Sequence, residues 1–385
     1  NETFSGGPGT DTVDYSARTN PVLVIVDSTG VGKSGESTTA VTACPTYTAA
    51  MGMTPATFSA SATESDIILD ADVIKAGKAS AGSNPINVIL GDKSGKLTIT
   101  GGPGNELFCQ GDDTWKNGTD TLTGGGGVDA VDYSLRAHTL NVTMDGKTAS
   151  GDSTGNSSKG EGDLVGADVQ NIYLGSGGSA MTPSVYTGNL LNNTFFSGTG
   201  GYATVNGSDG DDTLDEGTEA TSTISGVCDP MSTACPDDSH ASETFNGGKG
   251  TDTVNYRNRM TAIYVKMDGA YKGGAGASGA GANGSENDVI AVDVENLYGG
   301  AGADHIEGNL LDNDIEGNGG GDTLCGGAGN DTLLGNNAST TDNETLHGGD
   351  CADDADPGAF NMCLGTGSAG TPLVANAQNC QFVSQ

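Results

Sequence analysis

Apolar residues along this chain stand mostly in short groups framed by polar or glycine-rich positions. Thr12-Val13-Asp14 and Thr253-Val254-Asn255 each place one apolar side chain between two polar ones. Alternation over three to five residues predicts very short strands. The Gly, Asn and Asp clusters between them predict turns. No segment carries a helical period. The longest aliphatic run, Val22-Leu23-Val24-Ile25-Val26, is far below the roughly 20 residues of a membrane-crossing helix. The pattern therefore predicts an all-β fold of many short strands.

These strands recur inside a longer unit. Thr12-Val13-Asp14-Tyr15-Ser16-Ala17-Arg18 returns as Ala130-Val131-Asp132-Tyr133-Ser134-Leu135-Arg136 and as Thr253-Val254-Asn255-Tyr256-Arg257-Asn258-Arg259. Each is followed by a strand ending in Asp27, Asp145 or Asp268, and then by a polar stretch of variable length. An acidic-apolar phrase comes next, as Glu64-Ser65-Asp66-Ile67-Ile68, Glu161-Gly162-Asp163-Leu164-Val165 and Glu286-Asn287-Asp288-Val289-Ile290. Three tandem modules result, 1–118, 119–242 and 243–348, with a Cys-rich tail at 349–385. Small repeated units that bury a few residues against their neighbours stack into a solenoid. The expected fold is all-β, a right-handed parallel β-solenoid of the β-roll or β-helix kind, with irregular loops inserted at 33–63, 146–160 and 217–242.

A shorter phrase lies within the modules. Gly6-Gly7-Pro8-Gly9-Thr10-Asp11 returns as Gly124-Gly125-Gly126-Gly127-Val128-Asp129, Gly247-Gly248-Lys249-Gly250-Thr251-Asp252, Gly299-Gly300-Ala301-Gly302-Ala303-Asp304 and Gly326-Gly327-Ala328-Gly329-Asn330-Asp331. Glycine admits positive φ, so such a turn can curl until several carbonyl oxygens face one centre, and Asp adds a charged oxygen. Calcium takes six to eight oxygens in irregular geometry. Asp304 and Asp322 are 18 residues apart, as are Asn313 and Asp331, the spacing of two such turns per coil. Asp304, Asp322 and Asp331 lead the candidate calcium ligands, with Asn313 as a further candidate. Asp11, Asp129, Asp212 and Asp252 stand in turns without an adjacent tandem partner and would pair with a coil elsewhere in the stack. Glu106 replaces Asp in Gly101-Gly102-Pro103-Gly104-Asn105-Glu106, which weakens that turn as a site. The competing reading is that the glycines only make tight corners and the Asp side chains cap backbone amides.

Charge sharpens the case for a cation. The chain has 385 residues, with 50 Asp and Glu against 15 Lys and Arg, a formal charge of -35. Nucleic-acid binders carry basic patches, so no nucleic-acid partner is expected. So acidic a chain repels itself unless counterions neutralise it. Only 5% of residues are aromatic and 65 are Gly, too few large side chains for a conventional layered core. The eight cysteines, 44, 109, 228, 235, 325, 351, 363 and 380, fit an oxidising compartment. Cys228 and Cys235 enclose six residues and predict a local disulfide. The expected localisation is secreted, extracellular or on a cell surface, as a mature chain whose leader has been removed.

Other motifs have plainer explanations. Asp27-Ser28-Thr29-Gly30-Val31-Gly32-Lys33-Ser34 looks like a phosphate loop, but that loop needs Gly where Asp27 stands. Arg18, Arg136 and Arg259 recur in phase and are expected to satisfy carbonyls or an acid of the next coil. Tyr15, Tyr133 and Tyr256 read as packing ladders. There is no H-E-x-x-H or G-x-S-x-G motif, and the acids follow the repeat, which favours a structural role over a glycosidase-like acid pair.

The octapeptides, the Asp132-Tyr133-Ser134-Leu135-Arg136 opening and the Asp293-Val294-Glu295-Asn296-Leu297 phrase resemble bacterial hemolysin-type calcium-binding (RTX) repeat proteins over most of residues 1–350. The resemblance implies repeats that fold on meeting calcium outside the cell and serve as carriers, adhesins, surface layers or matrix. Members exported by type I machinery usually lack cysteine, so the eight here point to another route. Asn1-Glu2-Thr3-Phe4 returns as Ser242-Glu243-Thr244-Phe245 and Asn343-Glu344-Thr345-Leu346; an uncapped coil of this kind can stack on another copy, and a contact that does not close gives a filament. The leading expectation is a non-catalytic calcium-binding structural protein that self-associates head to tail. A cell-surface adhesin contacting a glycan is the alternative. A β-helix polysaccharide-degrading enzyme ranks below both.

Overall fold

The computed structural model describes residues 2–28, 30–37, 43–48, 57–59, 62–78, 86–91, 96–113, 119–152, 161–198, 200–217, 241–270, 274–275, 288–335, 344–349, 351, 362–364 and 374–378. Among these residues every regular element is a strand, most of them two to five residues long. No helix there is long and apolar enough to cross a membrane. The chain forms two compact units, one ending at Leu191 and the other beginning at Asn192.

In the first unit two parallel ladders run in register. One stacks Thr12–Asp14, Val73–Lys75, Thr98–Thr100, Thr121–Thr123 and Leu164–Val165. The other stacks Val22–Ile25, Ile86–Leu90, Asn105–Cys109, Ala130–Asp132 and Asn171–Tyr173. Because the strands are parallel and unshifted, the central residue of each lies directly over its predecessor. Ile74, Ile99, Leu122 and Val165 form one buried column; Val24, Ile89, Phe108, Val131 and Ile172 form the other. Each such residue stabilises the stack by roughly 1.5–3 kcal/mol of apolar burial. One apolar residue per strand suffices in the first ladder, as the alternating pattern predicted, whereas the second buries several in Val22–Ile25, Ile86–Leu90 and Asn105–Cys109.

The second unit repeats the arrangement. Thr194–Phe196, Thr213–Asp215, Thr253–Asn255, Asn296–Tyr298, Asp314–Glu316 and Thr332–Leu334 pair in parallel. Their centres Phe195, Leu214, Val254, Leu297, Ile315 and Leu333 are fully buried. A second ladder runs through Ile263–Lys266, His305–Glu307, Thr323–Cys325 and Glu344–His347, over Val265, Ile306, Leu324 and Leu346.

Each recurrent Asp-terminated strand also carries a short antiparallel flap. Val22 pairs with Glu36, Leu140 with Asp152 and Ile263 with Ala275. The polar inserts therefore leave the ladder and return without shifting its register. Two disulfides lie among the described residues, Cys44–Cys109 and Cys325–Cys351. The Cys228–Cys235 pairing lies outside them.

Candidate metal centre

The residue just before each ladder strand governs the corner. There the backbone N–H of one rung points along the stack, and a carboxylate or amide from the next rung accepts it. In the second unit Asn193 N–H donates to Asp212 Oδ1 at 2.7 Å, Asp212 N–H to Asp252 Oδ1 at 2.8 Å, and Asp252 N–H to Glu295 Oε2 at 2.8 Å. Asn313 N–H donates to Asp331 Oδ1 at 3.0 Å. On the opposite ladder Ile263, Asp304 and Asp322 donate in turn to Asp304, Asp322 and Glu344, at 2.9, 2.9 and 3.2 Å. In the first unit Glu106 donates to Asp129 Oδ1 and Asp129 to Gln170 Oε1, at 2.9 and 2.7 Å. Asp11 donates to Asp72 Oδ2 at 2.8 Å.

The glycines shape the pocket into which these side chains fold. A methyl group on the first glycine of a motif would collide with that motif's own Asp: Gly124 with Asp129, Gly247 with Asp252, Gly326 with Asp331. The carboxylate therefore lies over its own turn. At the fourth position Gly127 and Gly250 hold φ of +103° and +138°, open to glycine alone. The space above them is filled by the carbonyl oxygens of Gly104 and Gly210 in the preceding turn. Stacked turns thus face each other with carbonyl oxygens and carboxylates.

One oxygen of Asp129, Asp212, Asp252, Asp304, Asp322 and Asp331 is accounted for by the amide ladder. The other is not, at several positions. Oδ2 of Asp11, Asp129, Asp212 and Asp252 is buried without a hydrogen-bond partner, and so are Glu106 Oε2 and Asp163 Oδ2. Burial raises Asp129 and Asp252 to about 6 and Asp212 to about 7. Asp304 also rises to about 7, again through burial, although its Oδ2 accepts Gly300 N–H at 2.8 Å. A desolvated carboxylate oxygen without a donor is destabilised, and a cation relieves it. The donors are oxygens only, the set a hard dication such as calcium takes.

All eight sequence candidates stand in such columns. Asp304 stacks with Asp322, and Asn313 with Asp331, at the expected separation of 18 residues. Asp212 stacks with Asp252 across 40 residues, and Asp129 and Asp11 have column neighbours in Glu106, Gln170 and Asp72. The Asn313 amide is engaged: Nδ2 donates to Glu295 O at 3.0 Å and Oδ1 accepts Asn309 N–H at 2.9 Å. Sequence reading by the octapeptide missed Asp120, Asp163, Glu243, Asp288, Glu295 and Glu344. Asp120, Asp163, Asp288 and Glu295 share a signal, an acid immediately before a short strand, whereas Glu243 lies within its strand and Glu344 begins its own. Glu106 takes an equivalent slot: its Oε1 accepts Asn87 Nδ2 at 2.7 Å, and burial, with the Asp129 carboxylate beside it, lifts it to about 9.

The remaining motifs resolve into structure. Asp27 Oδ2 accepts Val31 and Gly32 N–H at 2.9 and 3.0 Å, filling with its own charge the nest a phosphate would need. Arg136 is fully buried; Nε donates to Gln110 and Gly111 carbonyls, and Nη2 pairs with Glu161. Arg259, also buried, faces Glu216 at 3.5 Å. Tyr15, Tyr133 and Tyr256 are core residues. The acids Glu216, Glu243 and Asp288 converge, but all are at most 3% exposed.

Residues 116–134 and 298–333 match the model of the RTX calcium-binding nonapeptide repeat, in four copies. Such repeats bind calcium. No curated protein shows significant similarity to the chain.

Proposed function

We propose that this hemolysin-type RTX repeat protein is a secreted, non-catalytic structural protein in which calcium locks the stacked corners of a right-handed parallel β-solenoid. The observation that carries this reading is the division of labour within the corner carboxylates. At Asp129, Asp212 and Asp252 one oxygen holds the neighbouring rung's amide, while the other is buried without a donor. Asp11, Asp129, Asp212, Asp252, Asp304, Asp322 and Asp331, with carbonyls of the facing glycine turns, would hold the ions, and Asn313 would orient its corner. Calcium there neutralises charge that otherwise opposes folding of a chain at -35. Two disulfides and the reliance on calcium suit the outside of a cell.

The three-module organisation and head-to-tail self-association belong to this proposal. Rungs from different places are interchangeable in detail. Thr3–Phe4 pairs with Ile67–Ile68 as Thr244–Phe245 pairs with Val289–Ile290. Glu2 N–H donates to Asp66 as Glu243 N–H donates to Asp288. A rung of one copy can therefore seat on a rung of another without new chemistry. The enclosed positions of Glu216, Glu243 and Asp288 support a non-catalytic reading, because a polysaccharide would not reach them. Circular dichroism, light scattering and electron microscopy of the purified chain test the proposal. Calcium should raise the thermal midpoint of the β-sheet signal and drive higher-order assembly, and chelator should lower the midpoint and dissolve the assembly. A chain whose stability and size ignore chelator would overturn it.

A further inference from the structure

We propose that reduction of the Cys325–Cys351 disulfide converts the outer face of the second unit into a tetrahedral zinc site formed by Cys325, Cys351, His305 and Glu307. This site is separate from the calcium corners, and its chemistry is different. The strands His305–Glu307 and Thr323–Cys325 lie side by side, with His305 opposite Thr323 and Glu307 opposite Cys325. Ile306 and Leu324 point into the core, so alternation turns His305, Glu307, Thr323 and Cys325 to the other face. Cys351 returns over that face and is bonded to Cys325.

The donor atoms already converge. His305 Nε2 lies 3.1 Å from Glu307 Oε1 and 3.9 Å from Cys351 Sγ, and the ligand atoms of all three lie within 4.8 Å of one another. A tetrahedral ion with bonds of 2.0–2.3 Å needs ligand–ligand edges of roughly 3.3–3.8 Å, which these separations bracket. The ring of His305 is stacked on Tyr264, with centroids 4.3 Å apart and planes 9° from parallel, which fixes its orientation. Lys266 Nζ sits 3.0 Å from Glu307 Oε2, leaving Oε1 turned towards the imidazole. Sulfur, nitrogen and one oxygen make a zinc donor set, whereas calcium takes oxygens.

Oxidation state gates the site, because thiolate and not disulfide sulfur is the metal ligand. A dithiol reductant supplies two electrons and two protons. The sulfur–sulfur bond opens to two thiols, and the reductant closes to its own disulfide. Zinc then replaces the two thiol protons, which leave to solvent. The bridge and the metal site are thus alternatives for the same two sulfurs.

The test uses the full chain in saturating calcium, reduced with a phosphine that becomes its oxide by taking oxygen from water. Cobalt(II) serves as the spectroscopic probe, with zinc as competitor. Reduced protein should gain the sulfur-to-cobalt charge-transfer band and the intense visible bands of a tetrahedral site, displaced by one equivalent of zinc. Oxidised protein should show neither. His305→Asn and Cys351→Ser, checked for native dichroism, should each weaken cobalt binding by at least about tenfold. Absence of the bands in reduced wild type, or bands and affinity unchanged in both variants, would overturn the assignment. Because calcium is saturating throughout, a failure here leaves the calcium reading intact, and a failure of that reading appears separately as a stability indifferent to chelator.

Discussion

Asp252→Asn separates a carboxylate that binds calcium from one that merely caps an amide. Asn is nearly isosteric and keeps an oxygen for the Asp212 N–H, 2.8 Å away. It removes the charge and replaces the buried, donor-free Oδ2 with an NH2 group. Without metal, the native carboxylate is a liability: burial first, then Glu295, Asp293 and Asp211, lift it from 3.8 to about 6. At neutral pH that displacement corresponds to on the order of 1–3 kcal/mol of destabilisation once solvent screening at the corner is allowed for. An amide NH2 lacking an acceptor costs about 1–3 kcal/mol in return, so the metal-free variant should match the wild type within about 1–2 kcal/mol. With calcium the balance changes, because a ligand at one hundred times its Kd stabilises by about 2.7 kcal/mol, and the variant forfeits most of that. Urea denaturation followed by circular dichroism, in chelator and in saturating calcium, reads both numbers. The variant should be close to wild type in chelator and about 2–3 kcal/mol less stable in calcium. An equal loss under the two conditions would refute the reasoning and leave Asp252 as an amide acceptor alone.

Three further outcomes follow from the same geometry. Asp129, Asp212, Asp252 and Asp304 have folded-state values of about 6, 7, 6 and 7, above the ordinary 3.8, so their stabilising contribution without metal is complete below about pH 4 and is lost as pH rises through 6–7. Tm in chelator should therefore fall between about pH 4 and pH 7, while calcium affinity, which needs the ionised form, should rise across the same interval; parallel pH trends in the two conditions would contradict this. Arg136→Met strands Glu161 and the Gln110 and Gly111 carbonyls in the interior and should destabilise by about 3–5 kcal/mol in urea, with Glu161→Gln in the same chain recovering part; a loss below about 0.5 kcal/mol would exclude the buried pair. Gly250 and Gly9 share a φ of +138°, but only Gly250 faces a carbonyl of the preceding turn. Gly9→Ala should cost about 1–2 kcal/mol of backbone strain and Gly250→Ala clearly more by thermal denaturation; equal effects would mean that the turns do not pack on one another.

The fold was legible because each rung needs so little information. A single Val, Ile, Leu or Phe between polar neighbours sets the inward direction, and the stacking of Phe195, Leu214, Val254, Leu297, Ile315 and Leu333 follows from repetition. The tandem corners at Asp304, Asp322, Asn313 and Asp331 were legible because no insert interrupts their 18-residue spacing. The others were hidden by variable intervals: Asp212 meets Asp252 after 40 residues, and Asp129 meets Gln170 after 41. Glu106 was undervalued because the octapeptide asks for Asp, whereas the column asks only for an acceptor long enough to reach the adjoining side chains. Cysteine pairing was not legible, since Cys44 and Cys109 lie 65 residues apart and Cys325 and Cys351 lie 26 apart, distances that repetition alone does not determine. The inserts and the corners explain each other. An amide locked by the next rung's carboxylate holds register locally, whatever length of chain intervenes, so the stack tolerates loops of very different size. That tolerance makes the acid before the strand, more than the glycine phrase around it, the residue to seek when counting the corners of such a chain.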